Sequence, residues 1–463
     1  MKTDEYILPE LDGGHSIEGM NALSADLWIS KEELGNVELF LRTTKLTTVN
    51  NRTGEEEHLQ LAREKLFHVV VPRHFAGIRA QLRLPIKSFI PTDYDEVTYN
   101  DLINLRPGQL ESWEHLNARK YGILNLGCGK GKTVLALKKI AACAGPAVVV
   151  VNNQGLISQW IERIEEHLGL AREDIGIVQG KKAQWDKPIV LVMIQTLANR
   201  YATIPIEVRQ RFKIALFDEV HHLSAATFLR TANIFFASRY GLTATAERED
   251  GLEGAYYAHL GPIFFTDLTG DLDASVYFQK LDTEFGRSPD IYDVSGELSV
   301  GKMYRELAKL PSRNHAIMQM VYKALKSGRK ILALTHSAEH PEILKELFDS
   351  GSYTNLFTAG AISGKTDGDK RISTILDCDV TFATFGVARE GLDAKTLDTV
   401  LFLTPFKAWG GFQQGKGRVE RASPGKKKPI AIVLVDHKIH VARALCASLA
   451  KRIKLNGIKV RNV

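Results

Sequence analysis

Gly127-Cys128-Gly129-Lys130-Gly131-Lys132-Thr133 stands between an apolar run, Gly122–Leu126, and a helix-like segment, Thr133–Ala142. Backbone N–H groups of so glycine-rich a turn can wrap nucleotide phosphates, and a helix N-terminus behind it adds partial positive charge. Glycine belongs there because a side chain would block the close approach. Lys132 would reach the β- and γ-phosphates, and the Thr133 hydroxyl would ligate Mg2+. Leu126 stands where the full GxxxxGK[ST] pattern has its first glycine, but the GxGKT core is intact. The bland alternative is a plain strand-to-helix turn.

A phosphate loop that hydrolyses ATP needs a second, acidic site. Ala215-Leu216-Phe217-Asp218-Glu219 supplies one, an apolar strand that delivers two acids at its C-terminal end. Asp218 would hold Mg2+ through water, and Glu219 would orient or deprotonate the attacking water. An acidic pair after a strand is weak evidence alone, and gains value by following a phosphate loop. His221 and His222 come next without further Cys/His spacing, which excludes a zinc site. Near the other end, Gln414, Arg418 and Arg421 recur at i, i+4 and i+7, the spacing of one helical face. Their guanidiniums could stabilise charge on a transferring phosphoryl group. The alternative is a solvated basic face, since Lys426–Lys428 lies close by.

These groups need a scaffold that brings them together. Ala147–Val151, Ile189–Ile194, Ile214–Phe217 and Tyr240–Leu242 read as buried strands, with Leu156–Leu168 as an amphipathic helix between the first two. Strands alternating with helices predict a parallel α/β sheet. The same alternation restarts after Pro311 with the helix Asn314–Lys326, then strands Ile331–Thr335, Val380–Thr384, Thr399–Leu403 and Ile430–Val435. The expectation is an α/β chain of two tandem parallel-sheet lobes, at 98–265 and 313–436, joined by a turn-rich connector at 266–312. Residues 1–97 predict a small mixed α+β domain with strands at Val37–Leu41 and His68–Pro72. Val441, Leu445, Leu449 and Ile453 predict an amphipathic helix in the C-terminal segment 437–463.

The longest apolar runs reach only five or six residues, and a membrane span needs about 20. The start of the chain carries no apolar segment of signal-peptide type. Four scattered cysteines without a CxxC pair argue against a disulfide scaffold and suit a reducing cytosol, so a cytoplasmic protein is expected. The net charge of +6 shows nothing by itself, but the segment 437–463 holds seven basic residues and no acidic one.

Taken in order, Gly129–Thr133, Asp218-Glu219-Val220-His221, Leu242-Thr243-Ala244-Thr245 and Gln414–Arg421 resemble motifs I, II, III and VI of superfamily 2 helicases. Val148–Asn152 with Gln159-Trp160, Gln195-Thr196-Leu197, Ile331–Ser337 and Thr384–Asp393 resemble motifs Ia, Ib, IV and V, although Asn152 replaces the usual proline of motif Ia. Leu105–Gln109 is similar to the upstream adenine-recognition element, implying Gln109, with Arg106 beside it, near the base. Arg248-Glu249-Asp250 resembles the RED element of XPB-type DNA helicases, and the branch indicated is XPB/UvsW-like, of phage or large-DNA-virus type. The likeness spans about residues 104–436.

What the resemblance implies is a RecA-like fold in both lobes, with ATP and Mg2+ as cofactors. ATP would bind in the cleft between the lobes, with Gly129, Gly131, Lys132 and Thr133 on one side and Gly391 and Asp393 on the other. Asp218, Glu219, Gln414, Arg418 and Arg421 would act in hydrolysis. His221, Thr243, Thr245, Arg248 and Asp250 would couple hydrolysis to movement. Asn153, Thr196, Ser363, Lys365 and Thr384 would grip DNA phosphates, though each could equally be a cap or turn residue. The partner implied is single-stranded, forked or branched DNA, with replication, recombination or transcription proteins reached through residues 1–97. Three activities fit: a helicase that unwinds or remodels DNA, a duplex translocase that separates no strands, and an ATP-gated clamp with little turnover. Trp409 and Phe412 read as packing before base stacking. The C-terminal helix either tracks a DNA backbone or docks on the second lobe with its cations in solvent.

Overall fold

The computed structural model describes residues 20–49, 56–65, 67–127, 129–220, 231–244, 252–285, 290–292, 296, 298–351, 356–364, 366, 368–386 and 394–462. The chain divides into two compact units, one ending at Leu268 and one beginning at Thr269, apart from Gly127–Lys130, which groups with the second.

Within the first unit, a parallel sheet carries the strands 175–179, 189–193, 147–151, 214–217, 238–243, 122–126 and 263–267, in that spatial order. A short antiparallel strand, 182–183, adds to one edge. Both faces are covered, which is why these strands read as near-continuous apolar runs. Ala147, Val149 and Val151 pack into one core with Leu135, Ile157, Trp160 and Ile161. Val148 and Val150 point the other way, into a core with Leu197, Phe212, Phe235 and Tyr256. Because the strands are parallel, their C-terminal ends share one edge, where open α/β sheets bind ligands. The turns that begin at Gly127, Asn152 and Asp218 all leave from it.

The N-terminal residues form their own five-stranded sheet, ordered 63–64, 68–72, 26–30, 21–23 and 86–88, together with the hairpin 45–49/56–60. His68–Pro72 is a buried strand, as expected. Val37–Leu41 is not a strand; it lies in the helix Val37–Thr43. The Asn36 side chain caps that helix by accepting from Leu39 N at 2.9 Å, and Glu38 pairs with Arg42 one turn on. Val37, Phe40 and Leu41 then share one face against a small core, a 3.6-residue period that a run of five residues hides.

This module is docked on the parallel sheet through buried polar groups. The Arg73 guanidinium donates to Ala237 O at 2.8 Å, Phe236 O at 3.1 Å and Ser24 O at 2.6 Å. Arg239 donates to Ala25 O, and Asp26 accepts from Asn233 Nδ2 at 2.8 Å and from Arg63 at 2.6 Å. His74 stacks on Tyr121 at 3.7 Å between ring centroids, and Leu61 packs with Leu252, Ala255 and Ala258.

The second unit holds an all-parallel sheet ordered 359–362, 380–384, 331–335, 399–402, 430–436, 275–281 and 460–462. The sequence reading puts a connector at 266–312. Ser275–Leu281 is instead a strand of this sheet, paired along its length with Ile430–Asp436, and Val300–Lys309 is a helix. Residues 440–455 form the expected C-terminal helix, and Val460–Asn462 pairs beside Val276–Phe278. The helix buries Ala442, Cys446, Leu449 and Ile453, so its inner face is turned slightly from the stripe read in sequence. Trp409 and Phe412 lie in the main core of the unit, which settles them as packing residues.

Two buried polar clusters fasten this unit. Arg313 and Asp436 form a fully buried two-pronged ion pair at 2.7 and 3.0 Å, with Thr283 donating to the same carboxylate at 2.6 Å. Beside it, His340 Nε2 and Asn314 Oδ1 lie 3.0 Å apart while Asn314 Nδ2 donates to Ala308 O at 2.8 Å. That fixes Asn314 Oδ1 as acceptor and His340 as the Nε2–H tautomer, leaving Nδ1 to accept from Thr335 Oγ1 at 3.0 Å. Burial, with a smaller contribution from Arg313, pushes the imidazole down to about 3.

The unfolded chain therefore binds a proton that folded His340 refuses. Stability from this group is complete above the ordinary histidine range near 6.5 and falls as pH drops from there toward about 3. Urea unfolding of wild type should show a loss approaching 1.4 kcal/mol per pH unit from this histidine below pH 6. His340→Gln should be less stable at pH 7 but show a flatter acid slope; an unaltered slope would contradict the neutral imidazole.

Candidate active site

The phosphate-loop segment leaves the strand Gly122–Leu126 and enters the helix Lys132–Cys143, as its residue order predicts. Gly129 and Gly131 have φ of +84° and +81°, in the left-handed region that favours glycine. A Cβ on Gly131 would also collide with the Gln109 side-chain amide. Gln109 is held in place from the other end: its Oε1 accepts from Arg106 N at 2.9 Å at the start of the helix Pro107–Ala118. Arg106 and Gln109 are thus brought against the loop whose glycine they flank. Thr133 is the second residue of the helix that follows.

Asp218 and Glu219 leave the strand Ile214–Phe217, two places across the sheet from Gly122–Leu126. Lys132 links the two turns. Its Nζ donates to Leu126 O at 3.0 Å and stands 4.0 Å from Glu219 Oε1. Glu219 has φ of +48°, a strained conformation for a residue with a Cβ, stored in the turn that carries the acids.

Asp218 is buried and both its oxygens are engaged. Oδ1 accepts from Glu219 N at 2.9 Å, and Oδ2 accepts from the indole Nε1–H of Trp160 at 2.8 Å. Burial first, then the neighbouring Glu219 charge, pushes the Asp218 carboxyl up to about 6, against the opposing hydrogen bond from Trp160. Two adjacent carboxylates, one buried and one partly exposed, are a place for positive charge. Asp218 and Thr133 offer the hard oxygen donors that Mg2+ takes, and left-handed glycines followed by Lys132 at a helix start are a phosphate-binding arrangement, so the residues present fit both groups.

Trp160 was not among the residues that sequence reasoning placed in the site. It sits on the inner face of the helix Gln154–Leu168, 1% exposed, and reads from its spacing as core. The available signal was its polar handle, because a buried indole N–H requires an acceptor.

In the second unit, Gln414 and Arg418 are buried on one face of the helix Trp409–Val419, which rules out a solvated basic face for Arg418. Arg421 does not continue that face, because the helix ends at Val419 and Glu420 caps it. Glu420 is tied down by Lys416, by Ala274 N donating to its carboxylate at 2.9 Å, and by Leu272 N donating to its backbone oxygen at 2.9 Å. The Arg421 backbone oxygen accepts from Lys426 Nζ at 2.7 Å, so the basic run after it is partly structural.

The expected nucleic-acid contacts separate. Asn153 caps the helix Gln154–Leu168, accepting from Leu156 N at 2.9 Å. Thr196 is buried, and its hydroxyl accepts from Gly180 N at 3.0 Å, which makes it a loop anchor. Ser363 follows the strand Ala359–Ile362, and Thr384 ends the strand Val380–Thr384, half-buried. Thr243 ends its strand fully buried. His221, Thr245, Arg248, Asp250, Lys365, Gly391 and Asp393 lie outside the described residues. No group of three or more potential metal-ligating His, Cys, Asp or Glu occurs among the described residues.

Residues 88–248 match the family model ResIII, described as type III restriction enzyme, res subunit. This segment holds Lys132, Asp218, Glu219 and Trp160. Residues 88–248 are a ResIII-family helicase domain. The chain's relatives are XPB-type and viral helicases. Helicase L396 of Acanthamoeba polyphaga mimivirus, named as an ATP-dependent RNA helicase, is 26% identical over 68% of this chain and 60% of its own length. The DNA 3'-5' translocase XPB2 of Sulfurisphaera tokodaii is 34% identical over 39% of this chain and 40% of its own. Helicase D10 of Escherichia phage T5 is 25% identical over 68% of this chain and 67% of its own. The chain thus spans less than two thirds of the first two.

Trp160→Phe keeps the aromatic packing of the helicase domain and removes the indole N–H that donates to Asp218 Oδ2. A hydrogen bond to a buried charge contributes about 1.5–3 kcal/mol, so the variant should melt a few degrees lower and, assayed well below its melting temperature, turn over ATP about 10- to 100-fold more slowly. Wild-type turnover in that variant would show that Asp218 needs no such brace.

Proposed function

We propose that this chain is an ATP-dependent DNA helicase that hydrolyses ATP to unwind or remodel DNA. The observation that carries the reading is the meeting of Lys132 with the Asp218–Glu219 pair at the C-terminal edge of a parallel sheet, within a ResIII-family domain. In this reading Lys132 exchanges its resting contacts with Leu126 O and Glu219 for the β- and γ-phosphates. Gly129 and Gly131 present backbone N–H groups to the same phosphates. Gln109 and Arg106, already against the loop, lie where the base would be read. Glu219, released from Lys132, orients or deprotonates the attacking water. Mg2+, when bound, offsets phosphate charge, and Thr133 and Asp218 are the residues that would hold it. Arg418 and Arg421 would stabilise charge developing on the γ-phosphoryl group, with Gln414 beside them in sequence register.

The relative named as a translocase favours a second reading, movement along duplex DNA without strand separation. An RNA arm in the assay answers the relative named as an RNA helicase. No helix among the described residues is long and apolar enough to cross a membrane.

ATP hydrolysis should rise on adding single-stranded, duplex, forked or four-way DNA, and Lys132→Ala should abolish it with the fold intact. Strand displacement on the forked substrate separates helicase from translocase. If no nucleic acid raises turnover, both motor readings fall; if Lys132→Ala turns over like wild type, the phosphate-loop assignment falls.

A further inference from the structure

The C-terminal segment carries charge that the rest of its unit does not neutralise. Several cations elsewhere in this unit are held by carboxylates: Arg313 by Asp436, Lys416 by Glu420, Arg329 by Asp398, and Lys438 by Glu284 and Asp282. Past Lys438 the sequence holds six further Lys and Arg and no Asp or Glu. Among the described residues, none of Arg443, Lys451, Lys454 and Lys459 has a carboxylate within ion-pair distance, and all four are exposed.

The segment is also held rigidly. Ala442, Cys446, Leu449 and Ile453 bury one face of the helix His440–Leu455, and Val460–Asn462 hydrogen-bonds to Val276–Phe278 as the last strand of the sheet. At about 100° per residue Lys451 lies opposite that face, Lys454 and Arg443 lie round one flank of it, and the small residues Ala447, Ala444 and Ser448 lie between and beside them. Arg443 and Lys454 are about 16 Å apart along the helix axis, a reach of about five base pairs on one DNA strand. Small side chains let a sugar-phosphate chain come close, and Lys459 extends the charge past the helix end.

We propose that this face is a second contact for nucleic acid, binding the phosphate backbone of duplex DNA without reading sequence. It rests on the nucleic-acid reading above and adds a contact outside the helicase motifs. An edge of unpaired cations on a docked helix raises the local concentration of duplex and lengthens its stay, without touching the nucleotide.

The test uses the full chain carrying Arg443→Gln, Lys451→Gln, Lys454→Gln and Lys459→Gln together, with fluorescein-labelled duplex DNA titrated across a sodium chloride series. Each lost phosphate contact reduces the slope of log Kd against log salt by about 0.9, so the variant should be flatter by roughly two to four, with weaker binding at low salt. ATP hydrolysis without DNA and the melting temperature should match wild type. Lys451→Arg with Lys454→Arg should keep the wild-type slope. A quadruple variant that binds duplex with wild-type affinity and slope overturns the proposal while leaving the helicase reading intact. A wild-type chain that hydrolyses ATP but binds no duplex, single-stranded DNA or RNA overturns both.

Discussion

Asp218 and Glu219 put two carboxylates side by side at the end of a strand buried on both faces, and the first unit is organised around that charge. A buried carboxylate is costly unless something holds it, and every contact at Asp218 answers that cost. The indole of Trp160 and the backbone of Glu219 donate to it, while Lys132 stands across the turn from Glu219. Burial first, then the Glu219 charge, raises the Asp218 carboxyl, and Glu219 itself sits at a positive φ in the same turn. Two carboxylates there call for positive charge, which Lys132 supplies in part.

The second unit handles charge differently. Its buried ions are paired within the fold, Arg313 with Asp436 and Lys416 with Glu420, so they fix geometry and project little field. Glu420 ends the helix that carries Gln414 and Arg418 and fastens it to the segment before the first strand. The C-terminal helix adds exposed cations over an inner face that is ordinary core. The overall +6 is thus a poor guide to where a polyanion would meet this chain.

Residues 1–97 show how a module can look separate in sequence yet be continuous in structure. Their small core is their own, but Arg73, Asp26 and the Ala25 backbone are satisfied by groups from 233–239 in the helicase domain. Removing either side would take one or more acceptors from a buried guanidinium, Ala237 O and Phe236 O from Arg73 or Ala25 O from Arg239. Those partners are more than 160 residues away, and no local pattern marks them.

By itself the sequence determined the chemistry that sits within a few consecutive residues. The glycine turn with Lys132 and Thr133, the acids after Phe217 and the alternation of apolar strands with helices are local patterns, and each fixes a backbone conformation or a periodicity. Val37–Leu41 failed for the same reason, since five residues cannot distinguish a strand from one helical turn that a cap at Asn36 selects. Ser275–Leu281 failed because it lies next to the edge of its sheet, where only one short strand flanks it on the outer side. Tertiary structure alone decided what depends on distant partners: that Trp160 holds Asp218 across 58 residues, that Thr196 is an anchor, that Arg421 leaves the helix, and that Arg443, Lys451, Lys454 and Lys459 face solvent with no carboxylate beside them among the described residues. Hydrogen bonds and ion pairs are satisfied in space, and sequence spacing carries that information only when both partners lie on one turn or one strand.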